Sequence, residues 1–254
     1  MSDKLYKSIA DLSRGALKHQ KIEKLLIGAG LIAVKLDSGK IGVSYVLRDL
    51  LPHGCDVMPY GEPLVGMKAM SAANWLVESD HAVLRSIAAA VINCGADEEA
   101  ILQSSIDNPF WDMKAGDTVA MIGFIEPILR QLQDRITKPI IVFDSDLEDA
   151  PGIFPDHRQE ELLPECDHVI ITGTTVINKS LESILENAAN AREIMLLGSS
   201  TPLFPEAFSG TGVTQLAGMI WPSSNADDIF SLISEGRGIK KISHLGKKVN
   251  VPVP

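Results

Sequence analysis

The chain has 254 residues, 45% of them hydrophobic, which is long for one compact α/β domain and comfortable for two with a sizeable core. Lysine and arginine number 23 against 33 aspartates and glutamates, a formal charge of −10; with no basic stripe to neutralise phosphates, the balance argues against a nucleic-acid partner. The opening MSDKLYKSIADL mixes charges into a helical pattern without an apolar signal core, and no apolar run approaches the ~18 residues that span a bilayer, so a soluble, cytoplasmic protein without a membrane partner is expected.

Leu5, Ile9, Leu12, Ala16 and Leu17 recur at near-helical spacing and predict an opening helix over residues 3–20. Two strand-like runs follow in KIEKLLIGAGLIAVKLDSGKIGVSYVL, joined at Asp37, Ser38 and Gly39, which supply hairpin-turn chemistry. After the proline-marked stretch 48–66, helices are predicted in MKAMSAANWLVES and HAVLRSIAAAVINCGA, with Ser79 or Asp80 as the cap between them. Strands first and helices after make an α+β pattern for residues 1–107. Periodicity lapses between Ser104 and Asp117, where the boundary is expected.

From residue 108 to 254 the rhythm changes. Five short apolar runs, beginning near Thr118, Pro139, His168, Glu193 and Val213, are bounded by turn residues and separated by helical patterns, which predicts an α/β unit with a doubly wound parallel sheet. In such a sheet a ligand binds in the crevice outside the carboxyl ends of the strands. Those ends carry Gly123 and Phe124; Asp144, Ser145 and Asp146; Thr172, Gly173, Thr174 and Thr175; and Gly198, Ser199, Ser200, Thr201 and Pro202. Glycines let backbone approach a ligand, and hydroxyls offer donors and acceptors without fixed charge. Of these, Gly123, Phe124, Asp144, Thr172–Thr175 and Gly198–Pro202 are the expected ligand-binding residues, with Asn93 joining from the N-terminal side. Asn178 is either a further contact or the cap of the helix after it, and Asn93 with Gly95 reads equally as a helix stop.

Asp144 follows Gly123 by 21 residues, near the spacing of an acid that grips a ribose hydroxyl. However, MIGFIEP offers one glycine where a dinucleotide fingerprint needs three, and Pro127 has no amide to donate, so NAD and S-adenosylmethionine are secondary expectations. Cys55, Cys94 and Cys166 form no C-x-x-C pair. His53 and Cys55 in PHGCD read as incidental loop residues, and His157 and His168 as solvated or packed imidazoles. No protein-bound metal is expected; any metal would arrive on an organic chelator.

The motifs MIGFIEPIL, ITGTTVINKSLESIL, LGSSTPLFPEAF and GVTQLAG, with AAAVINCG and GEPLVG upstream, resemble in order and spacing a family of uncharacterised prokaryotic proteins known as the "putative heavy-metal chelation" domain. The resemblance covers nearly the whole chain; the threonine and Ser-Thr-Pro motifs are its specific part, and GSST departs from it where the family often has proline after the glycine. It implies an enolase N-terminal-like α+β domain followed by a Rossmann-like domain, with a cleft between them. It also implies condensation or hydrolysis of a pterin-, flavin- or siderophore-like molecule. The sequence displays no nucleophile–base motif, neither G-x-S-x-G nor H-E-x-x-H. A non-catalytic binder of a chelator or its metal complex, and an S-adenosylmethionine-dependent methyltransferase-like enzyme, therefore stand beside the enzyme reading. If chemistry occurs, Glu126 is the expected acid or base, although a carboxylate in a helix's first turn commonly serves the helix dipole. A small-molecule partner is expected, and a homo-oligomer is left open.

Overall fold

The structure, a computed structural model, describes residues 3–47, 63–107, 113–145, 147 and 150–254. His53, Cys55 and Asp146 lie outside the described residues, as does part of the expected boundary segment. Helix α1 (Lys4–Leu17) buries Leu5, Tyr6, Ile9 and Leu17. Leu12, expected on the same stripe, is 45% exposed, because the buried face is centred on Tyr6, Ile9, Ser13 and Leu17 and Leu12 falls beyond its edge.

Strands β1 (Ile22–Ile27), β2 (Leu31–Leu36) and β3 (Ile41–Tyr45) form a three-stranded antiparallel meander. The predicted hairpin is thus one strand short. The first apolar run breaks at Gly28-Ala29-Gly30, where Gly28 N–H donates to Leu31 O at 2.8 Å, a turn hidden inside a continuous hydrophobic run. The second turn forms where Asp37-Ser38-Gly39 place it, with Leu36 N–H donating to Lys40 O at 2.9 Å. Helices α2 (Ala69–Ala73), α3 (Trp75–Glu78) and α4 (Ala82–Cys94) follow, then α5 (Glu98–Ser104). The cap of α4 is His81, whose Nδ1 accepts the Val83 N–H, while Ser79 Oγ accepts the His81 N–H one step earlier. Helix α4 is buried nearly all round, as its Ala88-Ala89-Ala90 run allows, because it lies against β2 and β3 and also against the second half of the chain.

In that half, the elements are β4 (Val119–Ile122), α6 (Glu126–Gln133), β5 (Ile141–Phe143), β6 (Ile153–Phe154), α7 (Gln159–Leu162), β7 (His168–Thr172), α8 (Thr174–Ile177), α9 (Leu181–Asn187), β8 (Glu193–Leu197), β9 (Gln215–Ile220), α10 (Ala226–Ser234), α11 (Ile239–Ile242) and β10 (Lys247–Pro252). The sheet runs β10-β9-β8-β7-β4-β5-β6, parallel except for β10, which pairs antiparallel with β9. All five expected strands form. The sequence reading missed β6, only two residues long, and β10, whose alternating Val249 and Val251 sit among lysines and a proline.

The two sheets share an interior. Ile229, Phe230 and Ile233 of α10 pack on Leu31, Ala33, Ile41 and Val43 of the meander, and Ile41 makes an isolated antiparallel bridge to Trp221 beyond β9. Burying such side chains is worth about 1.5–3 kcal/mol each, so the halves are held as one packed body. Among the described residues no helix is long and apolar enough to cross a membrane.

Candidate ligand cleft

Strand β4 starts the sheet; the chain then moves to β5 and β6 on one side and returns to β7 and β8 on the other. The reversal leaves a crevice at the carboxyl ends of β4 and β7, where ligands of doubly wound sheets bind. A cleft of about 310 Å³ opens there, lined on its sheet side by Gly123, Phe143, Asp144 and Thr172. That volume is at the lower edge of the range that holds small organic ligands. Gly123 is required at its position: its φ is 87°, and a Cβ would stand 2.9 Å from Thr172 Cγ2, filling the gap between the two strand ends.

Thr172, Thr174, Thr175, Asn178 and Ser180 form one wall. Thr175 Oγ1 donates to Thr172 O at 2.7 Å, and the Thr174 and Thr172 hydroxyls are 3.1 Å apart, so the run is a hydrogen-bonded corner with hydroxyls at its surface. The single helix predicted beyond it is divided into α8 and α9 by the turn at Asn178–Ser180. Asn178 Oδ1 accepts from Ser180 N at 3.0 Å and Ser180 Oγ at 2.7 Å, so it builds the turn ahead of α9 and lines the cleft at once. Lys179 adopts a left-handed φ of 61°, uncommon outside glycine. The N-terminal half grips this turn: Lys179 Nζ donates to Val77 O at 2.9 Å, and the Arg85 guanidinium to Ile177 O.

Across the cleft stand Asp144, Ser145, Asp156 and Gln159. Asp144 Oδ2 accepts the Phe124 N–H at 2.6 Å, and Asp156 Oδ1 accepts from Gln159 Nε2 at 2.8 Å. Asp156, Gln159 and Leu47 escaped the sequence reading, because the segment that brings the first two follows the very short β6. Phe124 is 40% exposed and is not among the lining residues, its amide being taken by Asp144. Glu126, the expected acid or base, is paired with Arg130 at 2.7 Å and Lys240 at 3.0 Å; Lys240 above all, then Arg130, holds its carboxyl below the usual range, which suits an ion pair better than a proton donor at neutral pH.

The structure brings Gly198–Pro202 and Asn93 together, in the seam between the halves rather than in the lining of this cleft. Tyr45 N–H donates to Ser200 Oγ at 2.9 Å, Asn93 Nδ2 to Ser199 O at 3.0 Å, and Ser199, Ser200 and Thr201 are each less than 5% exposed. Gly173 belongs to the same seam: a Cβ there would lie 2.6 Å from the Thr201 amide nitrogen, so only glycine permits the approach.

A second polar group stands at the opposite end of β7. His168, 1% exposed, brings its Nε2 to 2.8 Å from Asp117 Oδ2 and 3.2 Å from Arg192 Nη2. Its Nδ1 is 3.0 Å from Glu193 Oε2 but makes no hydrogen bond. Arg192 Nη2 meets the same Asp117 oxygen at 2.8 Å. Burial alone would raise the Asp117 carboxyl; the Lys114 N–H, His168 and Arg192 overcome it and hold the group at about 2, against 3.8 ordinarily. The adjoining void, about 10 Å³, has room for one water at most.

Among the described residues no three His, Cys, Asp or Glu side chains are placed to hold a metal ion. Cys94 and Cys166 are buried away from the cleft; burial pushes both thiols up, Cys166 to about 11 with help from Asp167 and Glu165. The cleft's donors are carboxylates, hydroxyls and amides, which do not fit a soft heavy metal.

Residues 9–95 match the DUF4213 family and residues 108–252 the DUF364 family, both described as "putative heavy-metal chelation". Two crystal structures of DUF364 proteins of unknown function share the fold. The protein from Desulfitobacterium hafniense has a TM-score of 0.82 at 23% identity, covering 99% of each chain. That from Pyrococcus horikoshii has a TM-score of 0.82 at 21% identity, covering 98% of this chain and 100% of the other. An uncharacterised protein of Methanocaldococcus jannaschii is 36% identical over 102 residues, a match spanning 39% of either chain. The chain belongs to the DUF364 family of "putative heavy-metal chelation" proteins.

Proposed function

We propose that this protein binds a small organic molecule in the cleft at the carboxyl ends of β4, β5 and β7, and that any metal it handles arrives coordinated by that molecule. The observation that carries the reading is the 310 Å³ cleft at the topological switch point, walled by Thr172, Thr174, Asn178 and Asp144. The donor set supports the second half, since hydroxyls, amides and carboxylates orient an organic ligand but bind soft metals weakly. Residues 1–107 act as the unit that fixes the Asn178–Ser180 turn, and residues 108–254 as the unit that carries the cleft. A chelator-type ligand, pterin- or flavin-like in size, agrees with the family description. Condensation or hydrolysis of that ligand is a further step for which the ion-paired Glu126 offers little support.

A second reading has its own observation. Asp144 at the end of β5, beside Gly123 at the end of β4, is where a doubly wound sheet holds a ribose, which favours a nucleoside ligand such as S-adenosylmethionine. Native mass spectrometry of gently purified protein tests the binding reading. A small-molecule adduct is expected, and it should vanish when Thr174→Trp fills the cleft. An adduct that survives this substitution, or no adduct together with no change in Tm on adding pterins, flavins or S-adenosylmethionine, sinks it.

A further inference from the structure

Resting on that cleft reading, we infer that the ligand presents a carbonyl-type oxygen to the threonine and asparagine wall, and that Asn178 and Thr172 are the residues that select it. The hydrogens of that wall can be followed one by one. Asn178 Oδ1 accepts the Ser180 N–H at 3.0 Å and the Ser180 hydroxyl at 2.7 Å. A backbone N–H only donates, so the amide oxygen must face Ser180, and the orientation of the side chain is fixed. With both lone pairs of Oδ1 engaged inside the turn, Asn178 has its two Nδ2 hydrogens left to offer.

The hydroxyls divide in the same way. Ser180 gives its hydrogen to Asn178, Thr175 to Thr172 O at 2.7 Å, and Thr174 to Thr172 Oγ1 at 3.1 Å. Thr172 Oγ1 also accepts the Thr174 N–H at 3.5 Å, which leaves Thr172 its own hydrogen. Thr172, Thr174, Thr175, Asn178 and Ser180 all line this wall, yet the side-chain donors that remain belong to Asn178 and Thr172. A ligand that covers them with carbon, or with N–H groups of its own, takes these donors from water and returns nothing, which costs affinity at each. A ketone, amide or lactam oxygen placed opposite Asn178 takes over from the water, because it accepts and carries no hydrogen.

The preference can be read without knowing the natural ligand. Two neutral probes of one shape, 4-fluoroacetophenone and 4-fluoro-α-methylstyrene, differ in a carbonyl oxygen against a methylene, and fluorine NMR titrations of the full chain give a Kd for each. The ketone should bind about fivefold tighter, the effect of one net hydrogen bond. Asn178→Asp keeps an oxygen for both Ser180 contacts and puts a second oxygen where the donor was. It should hold Tm within a few degrees and abolish or invert the preference, and because both probes are neutral the added charge does not by itself favour either. Thr172→Val leaves the Asn178–Ser180 turn in place and should reduce the preference about twofold; it decides the matter if the first variant does not fold. Equal affinities in the native protein, binding of neither probe, or a preference unchanged in either folded variant would overturn the inference. A native adduct that lacks a carbonyl-type oxygen overturns it too while leaving the binding reading intact; absence of any adduct and of any ligand-induced change in Tm sinks that reading while a measured ketone preference stands.

Discussion

Strand β7 carries a polar group at each end, and the two are built in opposite ways. At its start, His168 is enclosed and its charged neighbours Asp117, Glu193 and Arg192 converge on the ring, beside a void of about 10 Å³. At its finish, Thr172 leads into Thr174, Asn178 and Ser180, whose groups line about 310 Å³ of open cleft. Perturbed ionisation alone would direct attention to the first end, where the carboxyl of Asp117 is held near 2. The space directs it to the second. Asp117 is taken up by His168, Arg192 and the Lys114 amide and supports the fold, whereas neutral polar groups around a cavity have capacity left for a ligand.

If the two ends differ in this way, substitutions should separate stability from binding. The largest effect is expected for His168→Leu, which leaves Asp117 and Glu193 without the imidazole in a dry site: a loss of about 3 kcal/mol in urea unfolding, with the cleft's ligand adduct retained in the surviving folded fraction. A stability loss under about 1 kcal/mol would mean that the network is incidental.

The acid limb of stability sharpens the same contrast. Because Asp117 titrates at about 2 when folded and near 3.8 otherwise, its contribution is complete above pH 3.8 and disappears as pH falls through 2. The amount is on the order of 2 kcal/mol, and Asp117→Asn should remove that part of the pH dependence in denaturation curves taken between pH 2 and 5. An unchanged acid limb would break the assignment. The smallest stability effect is expected at the open end: Thr174→Val should change unfolding free energy by about 0.5 kcal/mol or less, because the lost hydroxyl faces the cleft, yet weaken any cleft ligand that uses it. A loss of 2 kcal/mol there would make the corner structural, like the other end.

Much of the fold was legible because it rests on local patterns. The five apolar runs with glycine or proline at their ends were enough for a parallel sheet, and Gly123, Asp144 and Thr172 followed from the rule that strand ends face a crevice. The rule could not say which loops face water. Gly198–Pro202 looks like the threonine loop in composition, but Tyr45, Asn93 and Gly173, distant in sequence, close over it. Nor could it find Asp156 and Gln159, which reach the cleft from a segment with no periodic signal.

By itself, then, the sequence determined the number and kind of most elements, since periodicity, turn residues and burial propensity act over a few positions. It also determined the acidic character of the protein. The third strand of the meander remained concealed because Gly28-Ala29-Gly30 interrupts an otherwise apolar run. Only the tertiary structure decided that His168 is caged, that one polar loop becomes a seam while its neighbour stays open, and that Asp144 accepts the Phe124 amide. Each of these depends on which distant side chain arrives within about 3 Å, and hydrogen bonds and Coulomb forces act at that range on positions that only packing fixes.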